Sequence, residues 1–307
     1  MILNALLSPE FLNATLRATT PILFATIASS IASKSGITNM ALEGMMLFAA
    51  LFGVIFSAAF NSAWLGLLIT MVIGGFIGFI LAFFILKLKT DQILAAIAIN
   101  LIASGATVFI LLIVSGDRGV SSSIQSIALP RITLPIIENI PYLGAVISNQ
   151  NVLTYIALIT VFIAHIFLYK TPLGLRIRAV GENKDAAESV GISSKKIQYI
   201  ALILSGVLAS MGGFFLSGGY MSYFTKDMSA GRGFIALAAS SMGGNTPVGG
   251  FLVSLLFGAA QALANILQMG STLPYEIIQM LPYITTLVGL GIYSYRLMKK
   301  AQKLNEK

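Results

Sequence analysis

The chain has 307 residues, of which 57% are hydrophobic, and its 19 basic and 11 acidic residues make up only 10% of the total. A soluble protein carries roughly a quarter of its residues as charges, so the composition excludes a soluble globular enzyme. The absence of cysteine excludes disulfides, thiolate nucleophiles and cysteine-ligated zinc, and one histidine, His165, cannot form a histidine cluster. The composition predicts an all-α fold, a polytopic transmembrane helical bundle that forms a single domain over residues 1–307.

Membrane spans are marked by stretches without charge, because a charged side chain in hydrocarbon costs roughly 2.5–3.5 kcal/mol on insertion scales. A helix needs about 20 apolar residues to cross a bilayer. We therefore expect about 8–10 membrane segments, some of them interrupted helices. The division that best fits the chain has nine segments: 11–33, 41–60, 64–86, 92–114, 152–169, 197–217, 232–246, 247–269 and 274–295.

Two of these segments have further features. Segment 232–246 is unusually short and ends at a Gly-Gly-Asn-Thr-Pro stretch, which predicts a half-helix. In segment 64–86 the small residues Gly74, Gly75 and Gly78 predict close helix packing.

The distribution of basic residues predicts the orientation in the membrane. Segment 170–196 carries six Lys or Arg residues, the C-terminal tail carries five, and Lys87 and Lys89 form a further basic turn. Because cytoplasmic loops are rich in Lys and Arg, these parts and the C-terminus are expected to face the cytoplasm. Segment 115–151 is then an extracytoplasmic loop. The net charge of +8 reflects this topology rather than a nucleic-acid partner.

The basic segment 170–196 contains the pattern of a short helix over residues 182–191. Asn183 can cap its first turn, and Gly191 can end it in the left-handed conformation. Asp185 suits the positive end of such a helix.

An apolar face on this helix predicts that it docks on another surface. Ala186, Ala187 and Val190 are expected to share that face. Two turns of helix are not stable alone in water, where about 12–15 residues are marginal. The alternative is an ordinary solvated loop with incidental capping.

Three blocks of sequence resemble a known family. Asp185-Ala186-Ala187 followed by Gly191 resembles the Glu-Ala-Ala-x-x-x-Gly loop of bacterial ABC-importer permeases, with Asp where many relatives have Glu. The surrounding residues 171–183 resemble the branched-chain amino acid and simple-sugar permease group. The blocks 35–46 and 231–249 are similar to the nucleoside-uptake permeases of that group.

The resemblance implies the transmembrane permease subunit of an ATP-driven importer in the cell membrane. Its implied partners are ABC ATPase subunits, a second permease subunit in a heterodimer, and an extracellular substrate-binding lipoprotein. ATP would be hydrolysed by the ATPase partners, since this chain has no Gly-Lys dipeptide for a phosphate-binding loop and is expected to bind no cofactor or metal. The implied ATPase-coupling residues are Gly181, Asn183, Asp185, Ala186, Ala187, Val190 and Gly191.

Two interrupted apolar segments, 36–44 and 243–250, lie in opposite halves of the chain. Such interruptions point to a transport pathway, because freed backbone groups must line a cavity or be buried in protein. The alternative is tight packing through small residues, and Glu43 can equally lie at an interface. Arg17 is expected to cap a helix or to snorkel at the outer interface. The candidate path residues are Asn39, Glu43, Asn100, Arg232 and Asn245.

The predicted substrate is a polar, uncharged solute, for which the resemblance favours a nucleoside. A permease of the same group for a simple sugar or a branched-chain amino acid is the first alternative. The second is an ion-coupled secondary transporter, a class that usually keeps acids or histidines at membrane depth. Glu43 is almost the sole such residue here.

Overall fold

The computed structural model describes residues 8–135, 140, 142–270, 277–278 and 280–305. Parts of the predicted loop 115–151 and of the predicted span 274–295 therefore lie outside the described residues. The described chain is a helical bundle, as predicted. The helices are α1 (Pro9–Lys34), α2 (Leu42–Ala59), α3 (Ala63–Leu86), α4 (Gln92–Ser115), α5 (Leu143–Ile147), α6 (Val152–Lys170), α7 (Pro172–Glu182), α8 (Lys184–Ser189), α9 (Ser194–Phe215), α10 (Arg232–Met242), α11 (Pro247–Gly270) and α12 (Leu281–Asn305).

Local sequence explains where several helices begin and end. The side chain of Ser8 accepts a hydrogen bond from the N–H of Phe11 at the start of α1, and Asp91 caps α4 in the same way. Gly116, at φ 73°, ends α4 in the left-handed conformation that glycine tolerates best. A pair of two-residue strands, Arg131–Ile132 and Gln150–Asn151, closes the loop before α6.

Within the described part of the chain, six helices are long and apolar enough to cross a membrane. They are α2, α3, α4, α6, α11 and α9 together with a π-helical turn, Leu216–Tyr220, that extends it. The segments predicted at the two ends correspond to α1 and α12, which have 26 and 25 residues and are more polar. The protein therefore has the multi-pass helical architecture that its hydropathy predicts.

The polar character of α1 is explained by its central position. It packs against α6, α9, α10 and α11, and every residue from 18 to 32 is buried. Its hydroxyl groups bond within the bundle: Ser30 Oγ lies 3.0 Å from Ser240 Oγ, and Thr26 Oγ1 accepts from Ser254 Oγ at 3.0 Å. A helix enclosed by protein does not need the apolar surface that lipid would require.

Glycines bring α3 and α9 into close contact, as the sequence predicted. A Cβ atom added at Gly74 or at Gly78 would collide with backbone or side-chain atoms of α9. From the other side, a Cβ added at Gly206 would collide with the carbonyl oxygen of Gly74. Small residues at such a crossing allow the two backbones to approach closely.

The predicted half-helix is α10, which has 11 residues. At 1.5 Å per residue it is about 16 Å long, roughly half of the ~30 Å hydrocarbon core. It is separated from α11 by a tight turn in which Gly244 and Asn245 have φ of 67° and 52°. The chain is thus interrupted within 243–250, as predicted. A second and longer interruption, residues 221–231, separates the π-helical turn from the start of α10.

We predict that Gly206→Ala destabilises the protein, because neither backbone at the α3–α9 crossing can give way to a methyl group. Overpacking of this kind costs roughly 1–3 kcal/mol. The matched control is Gly105→Ala in α4, where an added Cβ meets nothing within 4 Å. Thermal unfolding of the purified protein in detergent should show a lower midpoint for Gly206→Ala and an unchanged or higher one for Gly105→Ala. Equal midpoints would contradict the packing argument.

Candidate translocation path and coupling segment

The start of α10 is held by Glu43, which lies in the first turn of α2. Its two carboxylate oxygens accept hydrogen bonds from the backbone N–H groups of Gly231, at 2.7 Å, and Gly233, at 2.8 Å. The first N–H groups of a helix have no partner within the helix, and the positive end of the helix dipole favours a carboxylate. Glu43 thus connects the interruption before α2 with the one before α10. These contacts favour an interface role for Glu43.

Asn39 and Asn100 hold the backbone of the same region. Asn39 is fully buried; its Nδ2 donates to the Ser205 hydroxyl at 2.9 Å, and its Oδ1 accepts the N–H two residues further on. Asn100, on α4, accepts the N–H of Gly44 at 2.8 Å and donates to the carbonyl of Met40 at 3.0 Å. Both amides therefore satisfy backbone or side-chain groups around the start of α2. Their role as path residues stays a prediction.

A small polar niche lies between α1, the π-helical turn, α10 and α11. Its free volume is about 10 Å³, roughly the space of one water molecule. Apolar atoms of α1 and of the π-helical turn form its other walls. We call it the polar niche, and its polar residues are Arg17, Tyr220, Arg232, Gln261 and Asn265.

The two arginines of the polar niche contact uncharged groups, and Arg232 also interacts electrostatically with the Glu43 carboxylate. Arg232 donates from Nη1 to the backbone carbonyls of Met228 and Ser229, at 3.1 and 3.2 Å. The guanidinium carbon of Arg17 lies 5.5 Å from the centre of the Tyr220 ring. Arg17 is half-buried and lines the polar niche near the start of α1. The expectation that it caps a helix or snorkels at the outer interface stays a prediction.

Three residues of the polar niche were missed by the sequence analysis: Tyr220, Gln261 and Asn265. The two amides lie one turn apart on α11, and Gln261 Nε2 donates to Asn265 Oδ1 at 3.3 Å. Their spacing in an otherwise apolar span was a usable signal, since polar residues at membrane depth face cavities or other helices.

A larger cavity of about 330 Å³ adjoins the polar niche and shares Tyr220 and Arg232 with it. Lys226 and Asp227 contribute opposite charges to its lining, together with apolar residues such as Leu216. This volume lies at the lower end of the roughly 300–1,000 Å³ that small-molecule sites occupy. The larger cavity and the polar niche together form a polar recess, and Arg232 lies where the two meet.

The segment after α4 packs over the connection between the π-helical turn and α10. The N–H of Ser121 donates to the carbonyl of Phe224 at 2.9 Å, and the N–H of Ser126 to that of Ser222 at 2.8 Å. Hydrogen bonds from the backbone and hydroxyl of Ser123 lower the pKa of the Asp117 carboxyl below its usual range. The segment is thus ordered against the connection whose residues line the larger cavity.

Asn245 lies in a different place from Arg232. It lines a polar cavity of about 190 Å³ with Lys34, Arg178 and Glu182, where the end of α1 meets the end of α7. Its Oδ1 accepts from the Ser240 hydroxyl at 3.0 Å. Four of the five predicted path residues therefore lie close together, because Asn39, Glu43 and Asn100 surround the start of α2 and Glu43 accepts hydrogen bonds from the residues on either side of Arg232. The fifth, Asn245, lines a separate cavity.

The basic segment 170–196 forms α7, α8 and the first residues of α9. The Oδ1 of Asn183 accepts from the N–H of Ala186 at 3.0 Å, so Asn183 caps α8 as predicted. Gly191 has a φ of 83°, the predicted left-handed conformation. Asp185 lies in the first turn of α8 and is exposed.

The prediction that Ala186, Ala187 and Val190 share one face was wrong. Ala187 is 4% exposed and packs in the core of this chain, whereas Val190 is 74% exposed and Ala186 is also exposed. In so short a helix, one apolar side chain anchors the helix to the rest of the chain, and the other two are exposed to solvent. The exposed apolar side chains at α8 are therefore those of Ala186 and Val190.

Gly181 brings the end of α7 against the end of α1. A Cβ atom added there would collide with the carbonyl oxygen of Lys34 and would lie 3.0 Å from the backbone nitrogen of Gly36. Nearby, Gln198 Nε2 donates to the carbonyl of Ser35 at 3.1 Å. The segment with α8 is thus in direct contact with the start of the interruption before α2.

Metal-ligand clusters of three or more His, Asp or Glu side chains do not occur among the residues that the structure describes.

Comparison with known proteins agrees with this architecture. Residues 11–290 match the family described as the permease component of branched-chain amino acid transport systems. The chain belongs to this family. The match covers α1 to α11 and the first part of α12, and the matched region includes the polar niche and the basic segment 170–196.

Several curated proteins resemble the permease along most of its length. The guanosine ABC transporter permease protein NupQ of Bacillus subtilis is 34% identical, covering 90% of this chain and 89% of its own. The nucleoside ABC transporter permease protein NupC of Lactococcus lactis is 32% identical, covering 89% of each. TsgC13 of Haloferax volcanii, a relative named for glucose, is 30% identical over 82% of this chain and 76% of its own. The resemblance to nucleoside permeases is confirmed.

A solved structure shares the fold of the permease. A chain of PsaBC from Streptococcus pneumoniae in complex with Fab superposes with a TM-score of 0.50 at 11% identity, covering 90% of this chain and 89% of that one. At this identity the likeness shows the fold alone.

We predict that Glu43→Gln lowers the stability of the permease. An amide cannot accept at both Gly231 and Gly233, so one N–H at the start of α10 loses its partner, and the negative charge at that helix end is lost. An unsatisfied buried group costs roughly 1–3 kcal/mol. The control is Glu182→Gln, the same change at an exposed residue. A thermal unfolding midpoint of Glu43→Gln equal to those of the parent and of Glu182→Gln would contradict the role assigned to this contact.

Proposed function

We propose that this permease carries a nucleoside into the cell as the transmembrane subunit of an ABC importer. The observation that carries the proposal is the similarity to NupQ and NupC, which extends over about nine-tenths of each chain. The relative named for glucose, TsgC13, matches a smaller share of both chains and supports a simple sugar as the alternative substrate.

The polar recess has the chemistry that a nucleoside requires. The amides of Gln261 and Asn265 offer donors and acceptors to hydroxyls and to the edges of a heterocycle, and Tyr220 offers a ring on which a base can stack. The charge of Arg232 is offset by its electrostatic interaction with the Glu43 carboxylate, and Arg17 lies against the Tyr220 ring. This arrangement is compatible with an uncharged substrate. We propose that the substrate passes Arg232 on its way from the larger cavity. Widening of the polar niche during the transport cycle is part of this proposal.

The proposed partners are ABC ATPase subunits, a second permease and an extracellular substrate-binding lipoprotein. Two Lactococcus lactis permeases, NupC and NupB, match this chain, and so do two from Bacillus subtilis, NupQ and NupP. This pairing supports a heterodimer of two related permeases. The ATP would be bound and hydrolysed by the ATPase partners, and the permease itself would be neither an enzyme nor a nucleic-acid-binding protein.

We propose that the end of the bundle with α7 and α8 faces the cytoplasm, together with the basic C-terminus. The exposed Val190 and Ala186 of α8 would then contact the ATPase. Movement of α8 would reach the end of α1 through the contact of Gly181 with Lys34 and so act on the interruption before α2.

Coupling is tested by Val190→Asp, which places a charge on the exposed surface of α8 without entering the core of the permease. We expect loss of uptake and of ATPase co-purification, with normal amounts of permease in the membrane. The matched control is Leu88→Asp, which puts the same charge on another exposed apolar residue, in the basic turn between α3 and α4. Normal uptake in Val190→Asp would remove α8 from the ATPase interface.

The substrate is tested by uptake of labelled guanosine, adenosine, uridine, ribose and leucine in a deletion strain and its complement. We expect nucleoside uptake alone to depend on this chain. Gln261→Leu should lower the rate of nucleoside uptake roughly tenfold, since the loss of one hydrogen bond to the substrate costs about 1–3 kcal/mol. Gln268→Leu is the control, because this glutamine lies on the same helix but does not line the polar niche.

The two parts of this experiment fail separately. Dependence of ribose or leucine uptake alone would refute the nucleoside substrate and leave the permease assignment intact. Equal nucleoside uptake by Gln261→Leu and Gln268→Leu would place the path elsewhere in the bundle.

A further inference from the structure

An open groove runs between α6 and α9 on the outside of the bundle. Both helices pack on α1, but they hardly touch each other, and Ile31 of α1 forms part of the floor. The walls are apolar, with Ile163 and Phe167 on α6 and Leu204 and Leu208 on α9, and the groove encloses about 200 Å³. Both walls belong to helices that are apolar enough to cross a membrane, so the groove opens toward lipid.

At the end of the groove near α7, the surface becomes basic. A second cavity of about 370 Å³ is lined by Leu173, Ile197 and Ile200, together with Arg176 and Lys196. Both cationic side chains are exposed, and the described residues that line this cavity include no acid.

The groove and the basic cavity lie along one face of α9. Ile200 lines the cavity and Leu204, one turn further on, lines the groove. Residues four apart on a helix lie above one another on the same side. The surface therefore combines two cations at the end of the bundle with an apolar channel that continues into the span.

We propose that an anionic phospholipid binds here, with its phosphate on Arg176 and Lys196 and an acyl chain in the groove between α6 and α9. Two neighbouring cations favour a headgroup with net negative charge over a zwitterionic one, whose ammonium group they repel. Val190 and Gly191 also line the basic cavity. A bound lipid therefore steadies the connection between α8 and α9. On the proposed function, it regulates how α8 is positioned toward the ATPase.

The proposal is tested with brominated phospholipids, which quench tryptophan fluorescence on contact. Trp64, the single tryptophan, is replaced by Phe, and Ile163→Trp places a reporter in the groove. The purified full chain is reconstituted into phosphatidylcholine vesicles that contain either brominated phosphatidylglycerol or brominated phosphatidylcholine. We expect preferential binding of phosphatidylglycerol at the Ile163→Trp reporter, by roughly fivefold for each cation.

Two controls separate this site from the lipid shell around the protein. Ile102→Trp on α4 is a reporter outside the groove, and Ile102 and Ile163 are both 59% exposed; we expect no preference there. Arg176→Gln with Lys196→Gln should abolish the preference at Ile163→Trp. The charge-matched pair Lys87→Gln with Lys89→Gln should leave it intact.

Several results would overturn the proposal. One is equal quenching by the two lipids at Ile163→Trp in the otherwise unmodified chain. Others are a similar preference at Ile102→Trp, or a preference that survives in Arg176→Gln with Lys196→Gln. An absence of quenching at Ile163→Trp by either lipid would show that another protein surface fills the groove.

Discussion

The contact between the Glu43 carboxylate and the backbone at the start of α10 is the interaction on which the interior of this permease depends. The first N–H groups of a helix that begins inside a bundle have no partner within the helix, and each needs one from its surroundings. Glu43 supplies two acceptors at once, to Gly231 and Gly233. The turn that carries Glu43 is itself held by Asn39 and Asn100. Polar side chains at the interruption before α2 thus supply the hydrogen-bond partners that the backbone at the start of α10 lacks. For this reason an otherwise apolar bundle can contain a half-helix.

Helix α1 connects this polar region to both ends of the molecule. Near its start, Arg17 lines the polar niche, and at its end Lys34 meets Gly181 of the basic segment. Between these ends the helix is enclosed by protein, and its hydroxyl groups bond to neighbouring helices. Because α1 contacts both the basic segment and the polar niche, it offers a second route between them, beside the proposed route to the interruption before α2.

The polar side chains of the bundle have two different roles, which depend on whether unpaired backbone groups lie beside them. Asn39, Glu43 and Asn100 serve backbone groups that the interruptions leave free, so they leave little hydrogen-bonding capacity for a solute. Gln261 and Asn265 belong to an uninterrupted helix whose backbone satisfies itself, and their amides are available to line a recess. This distinction supports the polar niche, rather than the interruptions, as the proposed substrate contact.

The sequence by itself determined the features that lipid and local geometry impose. Hydropathy placed most of the spans, because charge is excluded from hydrocarbon, and the shortness of segment 232–246 identified α10 as a half-helix. Asn183 and Gly191 predicted the ends of α8, since a cap and a left-handed glycine act within one or two turns. Only the tertiary structure decided that Ala187 is buried while Val190 is exposed, that Arg17 lines one niche with Arg232, and that Glu43 accepts a hydrogen bond from Gly231. These outcomes depend on contacts between residues that are far apart along the chain. A local sequence pattern does not specify which polar groups within a membrane protein will form hydrogen bonds with each other.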